Sequence, residues 1–431
     1  VSTRTVGDLL AARLRRLGVS RIYGRPLGGL EHVGVQDPDL ACLLADVDGR
    51  LGHHDGSGRL GAALLAGPLL HLSSRPGGTT GVQVVGSVDD LVAALADPPG
   101  MAVPGTSALH LDLDLEEPVA VEPAPPPPDR YPVLTLDPSL RDLSVVCVVG
   151  PGVVRANALQ PLESFSRKAG VGVLNSWGAK GVERWDSPFH FGTIGLQARD
   201  VALAGLPEAD VVVASGLDPD ELGPDGLGSW TVQEVPPAQL HALCRDWEPV
   251  RTLPVRPPLY DTLAGVVTPL YEATGTPLSP ARASLHLSGA LPDRGVAVAD
   301  PGPAGFWVAR TFPTSIPGSV CVPATRAPGF AAAAALVCAL EGRPCLAVTD
   351  AGSGDGPVDP TTAAVLELAR GLGTPVALQV WGPDGSELTA PAHVELLREL
   401  LAPGPDRVVP VRIDLDATAE LERVAGPVVA W

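Results

Sequence analysis

Apolar positions along the chain follow two different periods. The opening VGDLLAARLRRLG places them at 6, 9, 10, 14 and 17, the i, i+3, i+4 spacing of one helix face, and Gly18 stands where such a helix ends. RIYG (21–24), ACLLADV (41–47) and LLHLSS (69–74) are short β-type runs, and SALHLDLDL (107–115) alternates as a half-buried strand does. From 143 the pattern LSVVCVVGPGVVRANALQPLESFSRKAG predicts strand, Gly-rich turn and helix, and GVGVLN (170–175) and ADVVVASG (209–216) predict further strands. The last third repeats the alternation, with helices over 280–289, 328–340 and 361–371 and strands over 295–299, 345–350 and 375–381.

Strands alternating with helices predict parallel sheets with helices packed on both faces. Breaks in the pattern divide the chain. PVAVEPAPPPPDRYP (118–132) contains four consecutive prolines, Pro125 to Pro128, which favour a stiff polyproline II spacer over helix or central strand. Weaker breaks fall near 249–258 and 274–280. The expected architecture is α/β, three consecutive doubly wound domains with mainly parallel sheets. They are a shortened first domain (1–121), a Pro-rich linker (122–137), a central Rossmann-like domain (138–275) and a third domain (276–431).

With 431 residues, 45% of them hydrophobic, the chain has ample material for such cores. A formal net charge of −19 argues against nucleic acid as a partner, because binding phosphates needs a basic surface. No apolar stretch reaches the roughly 18–20 residues of a membrane span; AAAAALVCAL (331–340) comes nearest and reads as a buried helix. VSTRTVGDLL lacks the order of a signal peptide, and the six cysteines are scattered with no C-x-x-C pair. Reduced thiols in a cytoplasmic protein are therefore expected.

In this order and spacing, the residues resemble a family: the thiamine-diphosphate-dependent enzymes of the acetolactate synthase and 2-oxo-acid decarboxylase group. TVGDLLAARLRRLGVSRIYGRPLGG is similar to the start of that family's pyrimidine-binding domain, and SVDDLVAALADPPG with ALHLDLDLEEPV to its end. VVGPGVVRA and WGAKGVERWDSPFHFGTIGL resemble the central domain. LPDRGVAVADPGPAGFWVARTF and APGFAAAAALVCAL resemble the approach to the diphosphate site of the third.

The resemblance implies thiamine diphosphate and Mg²⁺ as cofactors, bound between two subunits of a homodimer or higher homo-oligomer. It implies a metal-holding carboxylate in a Gly-Asp-Gly turn after a strand, and an Asn about thirty residues on. Here CLAVTD ends at Asp350 and the turn reads Thr349-Asp350-Ala351-Gly352, so Cβ atoms replace the flanking glycines. A literal Gly354-Asp355-Gly356 comes four residues later. Gly382-Pro383-Asp384 stands where the Asn is expected. The residues carried over are thus Asp350, Gly352 and Gly382 for the cofactor and Asp350 and Asp384 for the metal. The family also activates its cofactor with a glutamate on the first domain. No Glu occurs between Glu31 and Glu116, which leaves Asp46 or Asp48 near the expected place and the catalytic residue unassigned.

Other constellations carry blander readings. VVGPGVVRA has a G-x-G without the third glycine of the dinucleotide fingerprint and reads as strand-to-helix packing. His53, His54 and Asp55 read as a solvated loop rather than a metal site, His71 and His110 as core or edge residues rather than general bases, and Lys180 in GAKG as part of a backbone turn rather than a phosphate-contacting lysine. No G-x-S-x-G elbow is present, and the acidic runs at 112–117 and 217–222 read as solvated strand ends.

Two functional expectations result. One is a relative that has lost cofactor-dependent catalysis and serves as a binding, scaffold or regulatory subunit, beside an active paralogue or as its own homo-oligomer. The other is an active decarboxylase or carboligase acting on a 2-oxo acid. The absent glutamate and the shortened first domain favour the first.

Overall fold

A computed structural model describes residues 4–54, 59–65, 67, 69–73, 82–95, 106–119, 143–222, 224–227, 232–245, 248–350 and 358–431. The chain forms two compact units, which part between residues 132 and 133. The proposed Pro-rich linker, 122–137, lies outside the described residues.

In the first unit β1 (Arg4–Thr5) leads into α1 (Val6–Arg16). A capping box starts this helix: the Thr5 hydroxyl accepts the Asp8 N–H at 3.1 Å and Asp8 accepts the Thr5 N–H at 3.0 Å. Val6, Leu10 and Leu14 form its buried stripe, and Gly18 ends it at φ +82°. Next come β2 (Arg21–Gly24), β3 (Glu31–Gly34), α2 (Pro38–His54), β4 (Gly61–Leu64), β5 (Leu69–Ser73), β6 (Val82–Val85), α3 (Val88–Ala94), β7 (Thr106–Leu111) and β8 (Pro118–Val119). Six strands build one sheet in the order β3-β2-β4-β5-β7-β6, with β5 antiparallel to both neighbours and the remaining pairs parallel.

The stretch 41–47 is not the expected strand; it forms the middle of α2. Asp37 accepts the N–H groups of Asp39 and Leu40 at 2.9 and 3.3 Å, and Pro38 presets the first turn. Leu40, Ala41, Leu44, Ala45 and Leu51 then bury one helical face, a signal longer than the seven-residue β-like window inside it. The helix lies directly on the sheet. A Cβ on Gly61 would come within 1.6 Å of the Ala45 carbonyl oxygen, and one on Gly49 within 2.0 Å of that of Ser73. His53 and His54 belong to the end of this helix rather than to a loop.

The second unit holds two sheets. The first of these uses β9 (Val145–Val149), α4 (Gly152–Arg155), α5 (Leu159–Ala169), β10 (Val173–Ser176), β11 (His190–Ile194), α6 (Asp200–Leu203), β12 (Val211–Ser215), α7 (Pro219–Leu222) and β13 (Val232–Glu234). Its order is β11-β10-β9-β12-β13, parallel throughout. Both faces are covered, which is why VVCVV and VVVAS are unbroken apolar runs. Cys147, Val149, Val211 and Val213 enter one core, and Val146, Val148, Val212 and Ala214 the other.

Two helices, α8 (Pro258–Glu272) and α9 (Pro280–Ala290), precede the last sheet. It is assembled from β14 (Val296–Ala299), α10 (Pro303–Thr311), β15 (Val320–Cys321), α11 (Phe330–Leu340), β16 (Cys345–Asp350), α12 (Pro360–Leu372), β17 (Ala377–Gly382), α13 (Ala390–Leu401), β18 (Arg407–Arg412) and α14 (Thr418–Ala425). The order β15-β14-β16-β17-β18 is again parallel throughout. The fold is thus α/β with three mostly parallel sheets. Residues 330 to 338 of α11 are all buried, as expected of a helix apolar on every side. No helix among the described residues is long and apolar enough to cross a membrane. All six cysteines are free thiols.

A buried ion pair fastens these two sheets to each other. Arg310 on α10 donates to both carboxylate oxygens of Asp200 on α6 at 2.8 Å and to the Thr193 carbonyl at 2.8 Å. Asp200 also accepts the N–H groups of Leu196 and Gln197 at 2.9 and 3.0 Å. The Trp177 indole N–H reaches the Val322 carbonyl at 3.2 Å, and Gln197 the Gly426 carbonyl at 2.8 Å. Removing one partner of a fully buried pair strands the other charge. Arg310→Met should therefore lose about 3–5 kcal/mol of stability in urea unfolding, and Asp200→Asn combined with it should recover part of that loss.

Candidate functional site

The carboxyl ends of parallel strands form the usual binding edge of such sheets. On the last sheet this edge carries three carboxylates, each fixed by a helix start. Asp300 directly follows β14; one oxygen accepts the Ala331 N–H of the first turn of α11 at 2.8 Å, and the other accepts the Thr349 hydroxyl at 2.6 Å. Asp350 ends β16 and accepts the Ala304 N–H of the first turn of α10 at 2.7 Å. Its second oxygen would lie 2.2 Å from a Cβ on Gly302, whose φ of +155° and missing side chain make the approach feasible. Asp359 accepts the N–H groups of Thr361 and Thr362 at 2.9 and 3.0 Å as the cap of α12.

Burial dominates the electrostatics. It pushes Asp300 up to about 7, with the Asp359 and Asp350 charges adding to the rise and the hydrogen bonds from Thr349 and Ala331 opposing it. Burial likewise pushes Asp350 up to about 6, against the stabilising Ala304 N–H. These carboxylates therefore sit at helix N-termini with part of their charge suppressed near neutral pH.

Asp350 pairs in register with Trp381 on the neighbouring strand β17, and Gly382 closes that strand, buried. Asp384 lies two residues further on and is exposed. The Trp381 ring is fully buried and its N–H donates to Gln379 at 2.8 Å, so the end of β17 offers no polar side chain before Asp384. Gly352 lies outside the described residues, as does the sequence Gly354-Asp355-Gly356. Among the described residues no group of three or more His, Cys, Asp or Glu is arranged to hold a metal. Asp300 stands between a strand and Pro301-Gly302, a place that marks a strand end but does not set it above the chain's other acids.

Asp46 and Asp48 sit on α2 and face internal partners. Asp46 meets the His71 Nε2 at 2.8 Å; burial opposes a charged His71, but the bonds to Asp46 and Cys42 prevail and take it up to about 10. Asp48 accepts the Tyr23 hydroxyl at 3.0 Å and pairs with Arg59 at 3.1 Å. The glycines of VVGPGVVRA are explained by packing. A Cβ on Gly150 would lie 2.3 Å from the Gly216 carbonyl oxygen, and the Gly150 and Gly152 N–H groups already bond to Ser215 and Gly216.

The acidic run 217–222 is not a solvated strand end. Asp218 holds Arg155 through two bonds of 2.6 and 3.0 Å, and Glu221 accepts the Ser176 hydroxyl at 2.6 Å and the Gly178 N–H at 3.0 Å. Hydrophobic periodicity cannot reveal such partners, which lie some 45 or 63 residues away in sequence.

Residues 142–241 match the family model described as the central domain of thiamine pyrophosphate enzymes. No curated protein matches the chain. Of the residues that the resemblance assigns to a magnesium–diphosphate group, Gly352 lies outside the described residues, Asp384 is exposed and Asp350 bonds to the start of α10. The helix starts α10 and α11, which could otherwise hold phosphate oxygens, are already engaged by Asp350 and Asp300.

A carboxyl whose folded value is raised contributes stability at low pH and loses it as pH rises through that value. Asp300→Asn keeps an oxygen for Ala331 and offers an N–H to Thr349, so it mimics the protonated form. Relative to this variant the native chain should weaken between about pH 4 and pH 7. By pH 8 the variant should be the more stable by about 1–3 kcal/mol in urea titrations.

Proposed function

We propose that this chain, which belongs to the thiamine-diphosphate enzyme superfamily through the domain at 142–241, has kept the superfamily's fold and lost cofactor-dependent catalysis. It acts instead as a binding, scaffold or regulatory subunit in the cytoplasm, as a homodimer or beside an active paralogue. The three-domain division at 1–121, 138–275 and 276–431 belongs to the same reading.

One observation carries it. Asp350, the carboxylate that the family resemblance assigns to the metal, caps α10 through the Ala304 N–H and packs against Gly302. Asp300 does the same at the start of α11. A diphosphate entering this edge would meet negative charge where a phosphate site needs free N–H groups. The first unit adds support. Between Glu31 and Glu116 it has no glutamate, and Asp46 and Asp48 are engaged with His71, Tyr23 and Arg59.

Titration calorimetry with thiamine diphosphate and Mg²⁺ tests the proposal. No heat and no thermal stabilisation are expected at millimolar cofactor. Micromolar binding that disappears in Asp350→Ala would overturn the reading and return the chain to the 2-oxo-acid decarboxylases and carboligases. If Asp350 serves as a cap, Asp350→Ala should lower stability by about 1–2 kcal/mol in urea unfolding, with the response to cofactor unchanged.

A further inference from the structure

Around β11 the second unit gathers cationic side chains that have no counter-ion. Lys180 follows the short turn Trp177–Ala179, and its Nζ reaches only the Arg310 carbonyl, at 3.4 Å. Burial, and then the Arg310 charge, push this ammonium down to about 7. Arg310 itself is engaged by Asp200.

His190 opens β11, and its Nδ1 is buried without a hydrogen-bond partner. Burial, and then the charges of Lys180 and Arg256, push the ring down to about 3, so it is neutral at ordinary pH. Arg256 donates to the Ser187 carbonyl at 2.6 Å and lies over the Tyr260 ring at 4.2 Å, while its Nε is buried and unpartnered. The Tyr260 ring in turn stands edge-on to His190 at 6.3 Å. Tyr260 thus links Arg256 to His190, and Lys180 lies near enough for its charge to act on the His190 ring.

Among the described residues neither Lys180 nor Arg256 makes an ion pair. Both side chains are half-buried, so water offsets part of their charge, but the unpaired buried Arg256 Nε–H still costs free energy. GAKG is therefore more than a backbone turn. Its lysine, the Arg256 Nε–H and the His190 Nδ1 offer hydrogen-bonding positions that the chain itself leaves open, beside an aromatic wall.

We infer that Lys180, His190 and Arg256 form a binding site for an oxyanion, the carboxylate or phosphate group of a small molecule. The bound charge neutralises the two cations, and the Tyr260 ring packs against the carrier of the anionic group. Because the bound anion favours the ammonium form, binding draws a proton onto Lys180. This site involves none of the strand-end carboxylates and stands whether or not thiamine diphosphate binds.

The full chain contains only two lysines, Lys168 and Lys180, which makes the test clean. The protein is titrated with inorganic phosphate and, separately, with oxalate, each against chloride at equal ionic strength, and thermal unfolding is recorded. In parallel, amine acylation at pH 7.5 is read by mass spectrometry at both lysines. Saturable stabilisation by at least one anion is expected, together with at least fivefold slower acylation of Lys180 and an unchanged rate at Lys168. Phosphate alone would identify a phosphate ester as the ligand class, oxalate alone a carboxylate, and both a general oxyanion site.

Lys180→Met, which keeps an apolar stem, should lose the saturable effect while unfolding no earlier than the native chain in chloride. Absence of saturation with both anions, or equal stabilisation of native chain and variant, would overturn the inference. If the variant fails to fold, the acylation rates of the native chain decide: no protection of Lys180 by either anion overturns it.

Discussion

The second unit depends on the charge of Asp200 being matched inside the protein. This carboxylate is fully buried, accepts two backbone N–H groups from its own loop, and receives both remaining bonds from Arg310. The pair joins α6 beside one parallel sheet to α10 beside the other, and α10 is the helix whose start Asp350 caps. A buried pair of this kind adds little net stability over apolar packing, but its geometry admits one arrangement only. Thr193 and Leu196 bond to the pair directly, and the Trp177–Val322 and Gln197–Gly426 bonds add to the same junction.

Two neighbouring regions of this unit handle charge in opposite ways. At the strand ends of the last sheet, three carboxylates turn inward onto helix starts and engage N–H groups of Ala304, Ala331, Thr361 and Thr362. Around β11, two cations and a neutral histidine are left with open bonding positions. In the first arrangement the helix dipoles offset the negative charge, and burial raises the carboxyls of Asp300 and Asp350. The second is incomplete in the isolated chain.

Much of the fold was legible because continuous apolar runs and helical stripes are local signals. β9, β12, α9, α11, β16 and β17 lie within a residue or two of where periodicity places them. The failure at 41–47 has a local cause as well: a seven-residue window looks β-like, while the seventeen-residue helix around it is defined by Asp37, Pro38 and the spacing from Leu40 to Leu51. At the strand ends, Asp350 could be found from its position after CLAVTD, but Asp300 could not be ranked above other acids. Its importance rests on Ala331 and Thr349, more than thirty residues away.

By itself the sequence determined the alternation of strands and helices, the parallel class of the sheets, and the residues that end each strand. These follow from side-chain period and from which segments can bury both faces. Tertiary structure alone decided what the polar residues do. It engaged Asp350 with the start of α10, paired Asp218 and Glu221 inside the protein, and left Lys180 without a counter-ion among the described residues. A charged group's role depends on the distance to its partner and on the water excluded around it, and neither is encoded in the spacing of residues along a chain.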